Sequence, residues 1–230
     1  MARRANVIFR YRFWLFTATF LIGFGLSTVD HTNATVALVQ RFSDNPLALR
    51  AAFAFAALLI VLAALIRTWA AAYLQSSVVH DDRLHTDALV ASGPYRSVRN
   101  PLYIGVLLFG VGLAMLASRI GAIVIIGGVF AITLALIADE ERHLTAAQGE
   151  SYAAYKRAVP RLVPSLTPRL PAANLAPRWG QAFAGEGMFW GFALGMILFA
   201  VTLQPVWIIA LSIGAPVAHL LVMQALKARA

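Results

Sequence analysis

Two apolar stretches, Leu102 to Ala117 and Gly121 to Ala138, are separated by nothing longer than Ser118, Arg119 and Ile120. Helices joined that tightly must run back on each other as an antiparallel hairpin. Asn100, before the first stretch, and Asp139, after the second, therefore emerge at the same end. Each stretch approaches the ~20 apolar residues that cross a bilayer. Gly105, Gly110 and Gly112, facing Gly121, Gly127 and Gly128, are expected to let the two backbones approach closely.

Comparable runs recur at Phe13 to Val29, Pro46 to Ile66, Ala182 to Thr202 and Val206 to Met223. With 60% hydrophobic and 13% charged residues and a mean hydropathy of +0.73, the chain has more apolar surface than a soluble core could hide. The predicted fold is all-α, a multi-pass transmembrane helix bundle of about six spans. No compact small-residue cleavage site closes the first run, so it is read as a retained span. Asp139 to Val159 is read as a cytoplasmic surface helix after the fourth span, with Leu144, Tyr152, Tyr155 and Val159 on one face. Pro160, Pro164, Pro168, Pro171 and Pro177 then impose an extended arm. A single membrane domain is expected, divided into an N-terminal pair and loop (1–88), a motif region (89–170) and a C-terminal pair (171–230).

The net charge of +9 would point to nucleic acid in a soluble protein. Here it belongs to the membrane face, and no nucleic-acid partner is expected. Sixteen lysines and arginines fall on the side of both termini and the two long loops, and three (Arg41, Arg50, Arg119) fall on the other. The positive-inside rule therefore puts the termini and the Asn100 end in the cytoplasm, in a plasma (inner) membrane protein. Zero cysteines and five histidines without HxxxH or HxxH spacing give no metal site. His80, His85 and His143 read as solvated, and His219 as a buried neutral histidine. Glu186, between Gly185 and Gly187, reads as the start of a helix. Asn33-Ala34-Thr35 fits a glycosylation sequon only in a secretory lumen.

The polar exception is GPYRSVRNPLYIG, Gly93 to Gly105. Pro101 suits the first turn of a helix and biases Asn100 toward an extended conformation. The first-turn amides, with Arg96 and Arg99, could cradle an anion. A blander reading makes the arginines membrane anchors and Tyr95 and Tyr103 part of the interfacial aromatic belt. Glu140 and Glu141 oppose the helix dipole unless a cation is near or the helix continues. The hairpin brings them beside Arg96 and Arg99. An anion cradle, a carboxylate for a cation and aromatic rings for a flat base together suit a zwitterionic, nucleotide-like cofactor.

These residues resemble the isoprenylcysteine carboxyl methyltransferase and phospholipid methyltransferase superfamily of integral membrane enzymes. The resemblance covers roughly Leu89 to Leu166 and consists of GPYRSVRNPLYIG, the Glu140-Glu141 doublet and GESYAAYKRAVPRLVP. It implies S-adenosylmethionine in a cytoplasmic pocket and a lipid or prenylated acceptor entering from the bilayer. The implied cofactor contacts are Tyr95, Asn100, Pro101, Tyr103 and Glu140, while Arg99 and Glu141 would be catalytic, orienting the acceptor. Asn100 stands where the family usually has histidine, and asparagine hydrogen-bonds without carrying a proton charge. Two other functions compete. One is an NADPH-dependent reductase of the sterol-reductase type, which has a similar Arg-His-Pro stretch; the other is a methyltransferase-like protein without turnover.

Overall fold

The computed structural model describes residues 7–74, 92–172, 175–211 and 214. His80, His85, His219 and most of the sixth predicted span lie outside them. Regular structure among the described residues is helical: α1 (Val7–Gly25), α2 (Ala34–Gln40), α3 (Pro46–Tyr73), α4 (Pro101–Ala114), α5 (Arg119–Gln148), α6 (Glu150–Ala158), α7 (Trp179–Gly185) and α8 (Gly187–Thr202). Residues 206–211 are helical too.

The helix starts follow from local chemistry. Asn45 accepts from Leu47 N–H at 2.9 Å with Pro46 in the first turn of α3. Ser118 accepts from Gly121 N–H at 3.2 Å and opens α5. Such caps satisfy amides that have no partner inside the helix.

α3 is the central helix, packed against α4 and α8 and touching α2 and α7, while α5 lies between α4 and α1. Phe109 of α4 gathers the centre, edge-on to Phe20 of α1 and to Phe189 and Phe192 of α8. Along α3 most buried positions are small, among them Ala56, Ala57, Ala63 and Ala64, with Phe53 and Ile60 the large exceptions, while Phe55, Leu58, Leu62, Leu65 and Trp69 are exposed. Ile120, Ile123, Ile126 and Phe130 of α5 are exposed as well. Small residues inside and bulky apolar residues outside are what helices packed within lipid require.

By length and composition α3 and α5 can each cross a membrane, and α7 with α8, bent by 65°, make a third candidate. Among the described residues two or three helices thus qualify as spans, and the expected count of six is not established. Among the rest, α4 has 14 residues, and α1 carries Arg10 and Arg12 in its opening turns.

Three sequence expectations change. The close approaches spread over several interfaces: Gly110 meets Val129 of α5, but Gly105 and Gly112 face α3, Gly121 and Gly128 face α1, and Gly127 meets nothing within 4 Å. The surface helix over Asp139–Val159 is two pieces. α5 runs on to Gln148, and Gly149, at φ +56°, breaks it before α6, because an L side chain disfavours that conformation. Glycosylation at Asn33 conflicts with its geometry: Nδ2 donates to the carbonyls of Leu116 (2.8 Å) and Ala117 (3.1 Å), groups left over at the end of α4.

Candidate functional site

The hairpin does what its short join requires. The start of α4 and the acidic turn of α5 meet through Tyr103 Oη, which donates to Glu140 Oε2 at 3.1 Å, and through Asn100 and Arg99, which both reach Glu141. Since α5 continues, the acids sit within a helix rather than at its carbonyl end, and no opposition to the dipole arises.

Glu141 is 3% exposed, and both its oxygens are committed. Oε1 accepts from Arg99 Nε at 3.0 Å and Asn100 Nδ2 at 3.3 Å. Oε2 accepts from Arg161 Nε at 3.1 Å and Nη2 at 2.8 Å. A buried carboxylate needs this much compensation, and breaking it costs about 3–5 kcal/mol. The hydrogen bonds that Arg161 donates to Glu141 hold its own charge more firmly, raising its pKa.

Arg99 is spent as well. Nη1 donates to the carbonyls of Lys156 (2.7 Å), in the last turn of α6, and Val159 (2.6 Å), just past it. Arg96 turns away from the acids, and its Nε donates to Leu170 O at 2.8 Å. Both arginines, which precede α4, thus give part of their hydrogen-bonding capacity to backbone carbonyls. Sequence spacing placed both near the acids but could not show that backbone carbonyls compete for them.

Asn100 is 8% exposed, and its Nδ2 also donates to Arg161 O at 3.1 Å. Its φ of −123° and ψ of 56° stop short of the extended ψ that the following proline favours. The side chain is held from two sides, and that overrides the preference. Asparagine supplies both N–H donors here without a proton charge. Pro101 is buried in the first turn of α4.

The proline-rich arm walls this region. Arg99 N–H donates to Pro160 O, Ser165 N–H to Ser97 O and Arg169 N–H to Arg96 O, at 2.9, 2.9 and 2.8 Å. The arm thus runs antiparallel to the motif. Beneath it, Tyr152, Tyr155 and Val159 form a cluster with Tyr95, Leu144 and Leu170, the face read from the sequence. Tyr155 Oη donates to Tyr95 O at 2.9 Å. Burial pushes the Tyr152 phenol up to about 12 and Tyr155 upward as well.

Tyr95 differs from its neighbours. Its hydroxyl is buried and has no hydrogen-bond partner among the described residues. Desolvation first, and then the negative charge of Glu140, drive its pKa up. A buried phenol without an acceptor is a donor in waiting. Glu140 is similarly under-used, with Oε2 bonded to Tyr103 and Oε1 unpaired among the described residues. The charge of Arg12 in α1 acts on both Glu140 and Tyr103.

Beside Glu141 a cleft of about 490 Å³ is lined by Ala138, Glu141, Arg142, Thr145, Ala146, Lys156 and Arg161. Its one acid is the neutralised Glu141, and Arg142 leans on Asp139 at 3.2 Å. The Lys156 ammonium has no partner among the described residues, so the cleft is cationic.

Sequence reading missed four contributors. Arg161 lay inside the quoted tail but carried no mark of its own. Arg12 entered only in the count of basic residues on the cytoplasmic side. Arg67 and Glu186 form a buried ion pair across 119 residues, Nε to Oε2 at 2.6 Å and Nη2 to Oε1 at 2.9 Å. A charged residue at an apolar boundary was the available signal for the last two.

No curated protein matches the chain, and no solved structure matches it either. Residues 51–151, which hold most of α3, the motif turn, α4, α5 and the first residues of α6, match the sequence model of the phospholipid methyltransferase family, within the superfamily that the motif residues resemble.

Proposed function

We propose that this protein transfers a methyl group from S-adenosylmethionine to a lipophilic acceptor, a lipid head group or an isoprenylcysteine-type carboxylate, at the cytoplasmic face of the plasma (inner) membrane. The reading rests above all on one juxtaposition. Inside the family-matched stretch, an under-used carboxylate, Glu140, bonds Tyr103 and acts by its charge on the Tyr95 phenol, which has no hydrogen-bond partner among the described residues.

These residues fit the cofactor's chemistry. Glu140 offers an anion to a cationic group, the Tyr95 hydroxyl offers a buried donor, and Tyr95 and Tyr103 offer aromatic faces. S-adenosylmethionine, when bound, supplies a methyl group made electrophilic by its sulfonium. Asn100 and Pro101 shape the start of α4, with Asn100 acting through Glu141. Arg99, Glu141 and Arg161 form the brace that fixes α4, α5 and the arm relative to one another, and water exclusion and alignment follow from that rigidity. Since arginines occupy both oxygens of Glu141, it orients its surroundings and accepts no proton. A proton leaving an amine acceptor would go to Oε1 of Glu140, and a carboxylate acceptor has none to lose. The cationic cleft at Lys156 suits an acceptor with an anionic group.

The test is thermal unfolding of the purified protein in detergent with S-adenosylmethionine, S-adenosylhomocysteine or NADPH. Stabilisation by the first two, abolished in Glu140→Ala, is expected. No shift at millimolar cofactor, or a shift with NADPH alone, overturns the reading. Labelled methyl donor incubated with membrane lipids then identifies the acceptor. Absence of transfer by a wild type that binds cofactor would identify a non-catalytic relative.

A further inference from the structure

Outside the family-matched stretch, Glu186 sits at the 65° break between α7 and α8. It is 6% exposed and takes both oxygens to Arg67 of α3, at 2.6 and 2.9 Å. The same guanidinium lies over the ring of Phe189, 4.1 Å from its centroid. Nη1 donates to Leu102 O, in the first turn of α4, at 3.4 Å.

The motif makes room for this pair. A Cβ on Gly105 would stand 2.3 Å from Cγ of Arg67 and 3.1 Å from Ala63 O. Glycine at that position lets the arginine stem pass under α4 to Glu186. Gly93 performs a matching service one turn earlier. It adopts φ +55° and packs on the ring of Tyr73 near the end of α3, which seats the turn that carries Tyr95. The charges of Arg67 and Glu186 both act on the Tyr95 phenol, alongside that of Glu140. One ion pair is thus tied to the start of α4, to the orphan hydroxyl and to the bend of the C-terminal helices.

We infer that Glu186, acting through Arg67, is a positioning residue of the cofactor site, holding Tyr95 and the first turn of α4 in their binding arrangement. The bent pair α7–α8 is then a wall of the site. A generic role in helix packing would instead make Glu186 interchangeable with any residue that restores stability. The cofactor part of the inference rests on the proposed methyltransferase reading; the positioning part does not.

Two measurements on the full chain in nanodiscs decide it. Hydrogen–deuterium exchange of the ligand-free protein is expected to rise in Glu186→Gln selectively over residues 93–105, and to rise likewise in Gly105→Ala, which keeps both charges but displaces the Arg67 stem. Unchanged exchange over 93–105, or a uniform rise across all helices, overturns positioning whatever the ligand is. Calorimetry with S-adenosylhomocysteine is expected to show about tenfold weaker binding for Glu186→Gln and for Tyr95→Phe. The double variant should be little worse than either, because both changes disable one element. Wild-type affinity in Glu186→Gln, or losses that multiply to about 100-fold in the double variant, overturns the link to the cofactor site. If the wild type itself fails to bind S-adenosylhomocysteine, the methyltransferase reading fails, and exchange alone judges the positioning.

Discussion

Both ends of the α4–α5 hairpin are polar, and they spend that polarity differently. At the turn end, Asn33 feeds the last carbonyls of α4, and Thr35 donates to Met115 O at 2.7 Å. Asp30 accepts from Ile120 N–H at 3.1 Å and from Arg119. Most of these bonds go to backbone left over where the helices stop. At the motif end, side chains bind one another around Glu141 and Glu140 as well as backbone carbonyls of the arm, and among the described residues something is left over: the Tyr95 hydroxyl, one oxygen of Glu140 and the Lys156 ammonium. A clamp closes its own accounts, whereas a binding site keeps groups in reserve for a ligand.

Variants that break this contrast differ in size of effect. The largest is expected for Glu141→Ala, which strands Arg99 and Arg161 and should cost about 3–5 kcal/mol, read as loss of monodisperse protein on detergent size exclusion. Tyr103→Phe removes one hydrogen bond to a carboxylate, about 1.5–3 kcal/mol. It should lower the melting temperature without ligand by a few degrees and also weaken S-adenosylhomocysteine binding roughly tenfold or more. If melting falls and affinity does not, the motif end is a clamp too.

Asn33→Ala should lower stability alone. Leu116 O, just past α4, then loses the donor it has from Asn33, while Ala117 O keeps Ala34 N–H; the cost is about 1–3 kcal/mol, seen in thermal unfolding, with cofactor affinity unaltered. The smallest effect concerns acid. The backbone N–H of Ile120, opposed in part by desolvation and assisted by Arg119, lowers the pKa of Asp30. A lowered carboxylate pKa stabilises the fold above the unfolded value and loses that stabilisation as pH falls through the folded one. Melting temperature recorded from pH 6 to pH 3 should therefore drop less in Asp30→Asn than in wild type. Parallel curves would remove Asp30 from the clamp.

Features governed by chain connectivity were legible in the sequence. A three-residue join dictated the hairpin, and the hairpin dictated the meeting of Asn100 with Glu141 and Tyr103 with Glu140. Helical periodicity likewise put Leu144, Tyr152, Tyr155 and Val159 together. Competition was not legible. Arg96 and Arg99 each had acids within reach by spacing, and Arg96 went to Leu170 O. Gly105 reads as a helix-packing glycine in any apolar run, and only the path of Arg67 shows what it clears. Glu186 lies 119 residues from its partner, and no periodicity carries information across that gap. The break at Gly149 was hidden because polar residues flank it on both sides and the helical pattern resumes at once.

The arm from Pro160 onward also fixes a schedule for biogenesis. Ser165 is 68 residues downstream of the Ser97 carbonyl that it pairs with, and translation at 5–20 residues per second separates the two by roughly 3–14 s. For nearly all of that interval the nascent chain holds the motif without Arg161 and the arm, and Glu186 follows later still. The brace around Glu141 closes only after the candidate membrane helices α3 and α5 have left the ribosome, so a chain truncated before the arm is expected to be inert.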